Sequence, residues 1–267
     1  MKSKFEISDV SCPWSVASFD GQLTSDQLTR GQIMQSVFII SWTILMTIFF
    51  ASMMIIASFI NSDIPHKIAG IWAKSILLAS CVPVRVRGIS NLDPARSYIY
   101  MANHQSLYDI PVLLAHLPVQ FRWLAKTELF RIPIFGQAMY RAGYISIDRS
   151  DRKSAFNSLK MAAETIRNGV SVLIFPEGTR SKDGNIVPFK KGGFVLAVDS
   201  GVPVVPVIIH GTGSIMAKKD LLIRPGDVIL EIRTPVETSV YTRKTKNELM
   251  EEVRQTICES FEKERKD

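Results

Sequence analysis

The chain has 267 residues, 46% hydrophobic and 21% charged, with 32 basic against 25 acidic side chains. A disordered tail would carry fewer apolar residues and more charge. Cys12, Cys81 and Cys258 are far apart, without C-x-x-C spacing, so neither a disulfide framework nor a zinc cluster is supported; they read as reduced, buried thiols.

In chain order, residues 1–30 form a polar segment of net charge −1, which leaves +8 for the remainder. Between Arg30 and Asp63 there is no Asp, Glu, Lys or Arg. The core of this gap, residues 33–60, holds 28 side chains, of which only seven are polar and none ionisable. As a helix it spans about 42 Å at about 1.5 Å per residue, against about 30 Å of hydrocarbon, which predicts a membrane segment. The run is too long and starts too late for a signal peptide. Lys67, Lys74, Arg85 and Arg87 come soon after it while only Arg30 precedes it, so the positive-inside tendency places the C-terminal domain on the cytoplasmic face, that of the inner membrane in a bacterium.

Ile64, Ile68, Ile71, Trp72, Ser75, Ile76 and Ala79 then recur at spacings of three and four around His66, Lys67 and Lys74, an amphipathic helix. It lies either at headgroup level or against the adjoining domain, and the anchor of residues 31–82 is either a single span or a monotopic helix pair.

Residues 83–240 read as one α/β domain. Apolar runs predict strands at 84–87, 98–101, 121–124, 144–147, 170–175, 202–209 and 228–232, with helical patterns at 107–116, 134–141, 153–167 and 193–199. Within 241–267, Leu249, Val253, Ile257 and Phe261 share one helix side behind a Thr245-x-x-Glu248 capping box. The expected fold is α/β, a mixed and largely parallel sheet flanked by helices, with the N-terminal helix pair as anchor.

No P-loop, G-x-G-x-x-G, H-E-x-x-H or G-x-S-x-G occurs, which disfavours nucleotide-driven, zinc-dependent and α/β-hydrolase chemistry. Asn103-His104-Gln105-Ser106-Leu107-Tyr108-Asp109 instead places a polar cluster at a strand-to-helix turn. Five residues apart, His104 and Asp109 would diverge by about 140° on one helix. With Ser106 as N-cap and His104 in the turn before it, the carboxylate reaches one imidazole nitrogen and frees the other as a base. The alternative is that Asp109 is only a stabilising charge at a helix start.

Phe175-Pro176-Glu177-Gly178-Thr179-Arg180-Ser181 comes after another apolar strand, where open α/β sheets bind ligands. Glu177 suits a hydroxyl and Arg180 a phosphate, the alternative being a surface turn with a salt bridge. Arg149, in Gly143-Tyr144-Ile145-Ser146-Ile147-Asp148-Arg149, and Lys126 either complete a cationic site or are solvated charges. Arg85 and Arg87 either face anionic lipid or mark an edge strand.

Together these segments resemble the 1-acyl-glycerol-3-phosphate (lysophosphatidate) acyltransferases of the glycerophospholipid acyltransferase family. Four blocks occur in order, NHQSLYD (103–109), GYISIDR (143–149), FPEGTRS (175–181) and VPVVPV (202–207), with KTELFRIPIFG (126–136) and FKKGGFVLAVDSG (189–201) between them. The resemblance implies that His104, oriented by Asp109, deprotonates a lysolipid hydroxyl, which attacks an acyl thioester of coenzyme A or acyl carrier protein. It implies that Lys126, Arg149 and Arg180 bind the acceptor phosphate, that Glu177 and Gly178 shape the glycerol site with Thr179 also binding substrate, and that Val202, Pro203 and Pro206 line the acyl side, the alternative being a buried strand whose prolines limit pairing. Lys190 and Lys191 either touch a donor phosphate or start a solvated helix. No metal or cofactor beyond the acyl-CoA or acyl-ACP co-substrate is implied, and the partners are a lysolipid phosphate and a phospholipid membrane, not nucleic acid. Glycerol 3-phosphate, a lysophospholipid or a lyso-aminolipid are alternative acceptors, and an inactive lipid-binding protein is the alternative outside enzymes.

Overall fold

The structure, a computed structural model, describes residues 25–148 and 151–265. Residues 1–24 and Arg149, one of the expected phosphate ligands, lie outside the described residues.

The charge-free run folds as helix α1 (Ser25–Ala57). Its part Arg30–Ala57 contains an 18-residue window of mean hydropathy 2.2 and is long and apolar enough to cross a membrane. Three of its hydroxyls are satisfied within the helix: Ser36, Thr47 and Ser52 donate to the carbonyls of Gln32, Thr43 and Ile48, one turn back, at 2.7, 2.6 and 2.8 Å. Helix α2 (Ile64–Ala79) packs along α1, and Trp72 Nε1 donates to Thr47 Oγ1 at 3.1 Å. α1 also touches the domain, since Ser36 Oγ accepts the Ile223 N–H at 2.9 Å and Ile39 is fully buried. Its other side exposes Met34, Val37, Ile44, Leu45 and Ile56.

The domain contains β1 (Val84–Arg87), β2 (Ile99–Ala102), α3 (Asp109–His116), β3 (Phe121–Lys126), α4 (Thr127–Phe130), α5 (Phe135–Arg141), β4 (Ile145–Ile147), α6 (Arg152–Arg167), β5 (Ser171–Ile174), α7 (Gly192–Ser200), β6 (Val204–His210), α8 (Thr212–Ile215), β7 (Val228–Ile232) and α9 (Lys246–Glu264). One seven-stranded sheet runs β1-β7-β6-β2-β5-β3-β4, and every neighbouring pair is parallel except β6 with β7. The expected mixed α/β sheet is therefore present. Every residue of the central strands β2, β5 and β6 is buried, which is why they read as unbroken apolar runs, whereas Val-Arg-Val-Arg in β1 alternates at an edge. One core layer joins this sheet to α2, α3 and α5, with α1 outside them; the other lies under α6, α7 and α9.

All seven strands fall where the apolar runs place them, with ends shifted by one or two residues. α4 and α8 are four residues each, too short for a periodic signal. Thr245 does precede α9, but its hydroxyl accepts the Thr242 N–H at 2.9 Å, and the Glu248 N–H bonds to the Thr245 carbonyl instead, so the capping box is not formed. Cys258 is a free thiol but only partly buried, and Cys81 is disulfide-bonded rather than reduced. The basic pair in β1 is engaged by ion pairs, Arg85 with Asp227 at 3.6 Å and Arg87 with Glu264 at 2.8 Å, as befits an edge strand.

Gly211 joins β6 to α8 at φ +90°, and a Cβ there would lie 2.3 Å from the Asp227 carbonyl oxygen. Gly211→Ala combines a disfavoured φ with a backbone clash and is expected to cost about 2–4 kcal/mol, read from chemical denaturation. A loss under about 0.5 kcal/mol, the range of ordinary surface changes, contradicts this close approach.

Candidate active site

β2 ends at Ala102, and the fully buried Asn103 extends its pairing by one step through a side chain: Nδ2 donates to the Ile209 carbonyl at 3.0 Å and Oδ1 accepts the Ile209 N–H at 2.7 Å. The turn after β2 is thereby tied to β6. His104 comes next, and its Nδ1 lies 2.8 Å from Asp109 Oδ2. The same Oδ2 accepts the N–H groups of Gln105 and Ser106 at 2.7 and 2.9 Å, while Thr212 donates its hydroxyl to Oδ1. Asp109 is fully buried and is the first residue of α3, where the helix dipole favours negative charge.

The expected pair thus forms, by a different local route. Tyr108, not Ser106, directly precedes the helix; Ser106 Oγ donates to the Met216 carbonyl at 2.7 Å and accepts the Tyr108 N–H at 3.2 Å. The aspartate folds the turn back onto itself by collecting its N–H groups. Because a carboxylate accepts only, Nδ1 carries the proton toward Asp109 and Nε2 is left with a lone pair. The ring also stacks on Phe175, with centroids 3.9 Å apart and planes 9° from parallel, and Phe175 stacks in turn on Trp123 at 5.5 Å.

Glu177 lies in the turn after β5, and only 1% of it is exposed. Oε1 accepts the His104 N–H at 2.6 Å and Oε2 the Val187 N–H at 2.7 Å. The Ser181 N–H closes the same seam on the His104 carbonyl at 2.8 Å. The expectation that Glu177 shapes a substrate hydroxyl site is therefore corrected: both oxygens are committed to backbone, and the side chain holds two turns together. Burial pushes its carboxyl up to about 7, with nearby Asp109 adding to the effect and the two N–H donors opposing it.

A cavity of about 450 Å³ opens beside His104. Gly178, Thr179, Arg180 and Lys126 line it, so four of the expected substrate residues share one space. Lys218 joins them; its Nζ donates to Thr179 Oγ1 at 3.0 Å and to the Arg180 carbonyl at 2.6 Å. Partial desolvation and the charges of Lys182, Arg180, Lys219 and Lys126 lower its pKa. Sequence reading missed Lys218 and Thr212, since each lies more than thirty residues beyond the motif it serves. The rest of the cavity is apolar, walled by α1 (Phe50, Ala51, Met54), α2 (Trp72), α3 (Ile110, Leu114) and α5 (Ala138, Met139).

Val202, Pro203 and Pro206 do not line this cavity, a second correction. Pro206 sits inside β6 opposite Met101 of β2, and the Pro203 carbonyl accepts the Ile99 N–H, so this block is sheet core. Lys190 and Lys191 are exposed before α7, on the opposite face of the sheet from α3.

The sequence of residues 83–210 matches the Acyltransferase family model. A chloroplastic 1-acyl-sn-glycerol-3-phosphate acyltransferase of Brassica napus is 40% identical over 73% of this chain and 56% of its own length. One from Chlamydomonas reinhardtii is 34% identical over 85% and 69%, and the human alpha form 33% over 67% and 64%. The crystal structure of the 1-acyl-sn-glycerophosphate acyltransferase PlsC from Thermotoga maritima superposes with a TM-score of 0.75 at 29% identity, covering 88% of this chain and 96% of that one. The chain belongs to the 1-acyl-sn-glycerol-3-phosphate acyltransferase family. It spans about half the length of the Brassica relative and of a chloroplastic relative from Arabidopsis thaliana, 56% and 54%.

Because the folded carboxyl of Glu177 titrates near 7 and the unfolded one near 4.5, its contribution to stability is fully present below pH 4.5 and is lost as pH rises through 7. Glu177→Gln does not titrate and turns an NH₂ toward one N–H donor. It is expected to be less stable than the native chain at low pH, with the gap narrowing by up to about 3 kcal/mol above pH 7. Denaturant titrations at both pH values check this, and a constant gap refutes it.

Proposed function

We propose that the chain transfers a fatty acyl group from an acyl thioester, of coenzyme A or acyl carrier protein, to the free hydroxyl of lysophosphatidate, giving phosphatidate. One observation carries the reading: the free nitrogen of a carboxylate-held imidazole borders a cavity that is cationic at one end and apolar for the rest. His104 Nε2 takes the hydroxyl proton as the oxygen attacks the thioester carbonyl. The carbon–sulfur bond breaks as the tetrahedral intermediate collapses, and the thiolate recovers the proton from His104. Asp109 holds the ring and stabilises the imidazolium. No acyl-enzyme is needed, consistent with the lack of a nucleophile elbow in the sequence.

Lys126, Arg180 and Lys218, together with Arg149, bind the acceptor phosphate, and Gly178 and Thr179 border its glycerol. The apolar wall shared by α1, α2, α3 and α5 takes an acyl chain. α1 lies in the membrane through its exposed apolar side. Its contacts with the domain at Ser36 and Ile39 favour a helix pair seated on one leaflet over a perpendicular span. The basic excess after α1 supports the cytoplasmic face.

His104→Ala is expected to lower transfer by about 10²–10⁴-fold while membrane association is unchanged. Acyl transfer to lysophosphatidate in reconstituted vesicles measures it, and activity within about tenfold of the native chain sinks the mechanism. Arg180→Ala is expected to raise the acceptor KM about 10–100-fold, the value of one charge-assisted hydrogen bond, with little change in the donor KM. Equal rises in both count against a phosphate-binding role.

A further inference from the structure

The turn from α4 to α5 has an unusual backbone. Ile134 sits at φ +62° and ψ −58°, and the Phe135 N–H donates to the Pro133 carbonyl at 2.6 Å. This is a γ-turn with positive φ at its centre, a rare conformation and a strained one for a β-branched residue. Beside it, a Cβ on Gly136 would lie 2.1 Å from the Phe130 carbonyl oxygen. The turn is thus folded tightly back on α4, and its outer shape is fixed.

What it turns outward is apolar. Ile132 is 45% exposed, Ile134 43% and Leu129 36%. Strain of this kind persists only where surrounding structure enforces it, and it collects at functional segments. The patch also continues a larger one. α5 packs along α1, and the Arg141 guanidinium lies over the ring of Phe59, 4.6 Å from its centroid, where Phe59 and Ile60 extend the apolar outer side of α1. Arg131 and Arg141 are exposed at its margins, so apolar tip and cationic rim alternate as they do on a surface made for anionic lipid.

We propose that the turn of residues 129–134 is a second membrane contact: Ile132 and Ile134 enter the boundary between headgroups and acyl chains beside α1, with Arg131 and Arg141 on anionic headgroups. The occupant is a phospholipid bilayer. Two contacts on different elements fix the tilt of the domain on the leaflet. Leu129 and Phe135, at the two ends of the turn, line the cavity, so a lipid leaving the bilayer here meets the cavity without crossing water. The inference rests on the reading of α1 as membrane-bound.

An environment-sensitive fluorophore placed on the full-length protein at Ile132→Cys, Leu45→Cys or Val240→Cys tests it in phosphatidylcholine–phosphatidylglycerol vesicles, with label on native cysteines subtracted using the unsubstituted chain. Leu45 reports on α1, and Val240, 77% exposed on the α9 side, reports on water. Iodide is expected to quench the label at 132 about fivefold less than at 240, with a blue shift matching that at 45. Protection at 45 with free quenching at 132 overturns the second contact alone. Free quenching at both overturns it together with the membrane reading of α1.

Discussion

A carboxylate removed completely from water survives only where hydrogen-bond donors replace its hydration, and most of the site is a consequence of meeting that demand at Asp109. Two backbone N–H groups come from the turn after β2, a ring N–H from His104 and a hydroxyl from Thr212, beyond β6. The turn must double back, α3 must start where it does, and the segment after β6 must return to the same point. The orientation of the imidazole is a by-product of satisfying this charge. Removing one partner of such a buried set leaves an uncompensated charge, so the turn has few alternative conformations.

Glu177 repeats the device one strand away. Its two oxygens join the backbone at His104 to that at Val187, and its closeness to Asp109 contributes to holding its proton. Two buried carboxyls therefore tie three chain segments into one rigid floor beneath His104, with Phe175 as its aromatic side. Among the described residues, the cations that line the cavity are Lys126, Arg180 and Lys218. Buried carboxyls build the site, and positive charge faces the cavity.

How much of this is legible in the sequence depends on distance along the chain. β2, β5 and β6 announce themselves because burial on both sides demands continuous apolar residues, and α1 because no charge interrupts it. The His104–Asp109 pair lies within one turn, so local reasoning reaches it, although α3 starts at Asp109 itself and Tyr108, not Ser106, takes the N-cap position. Thr212 and Lys218 are joined to Asp109 and Arg180 across 103 and 38 residues, and no local pattern reports such contacts. Glu177 looks like a ligand because its motif stands at a strand end; only the positions of two N–H groups reveal it as a brace. The apolar cavity wall escapes for a related reason: it is assembled from α1 to α5 and β3, far apart in the chain, and no local motif reports it.

The single reversed pair in the sheet has an effect on the site that a wholly parallel order would deny it. In a parallel order the chain leaving β6 would have to travel to the opposite edge of the sheet before beginning β7. With β7 running against β6, the connection starts and finishes at one edge, the same edge that carries the turns after β2 and β5. Residues 211–227 are therefore free to hang over that edge. Within this excursion lie the hydroxyl that reaches Asp109, the carbonyl that holds Ser106, the ammonium beside Arg180 and the amide that meets α1 at Ser36. One change of strand direction thus supplies the site with a third loop.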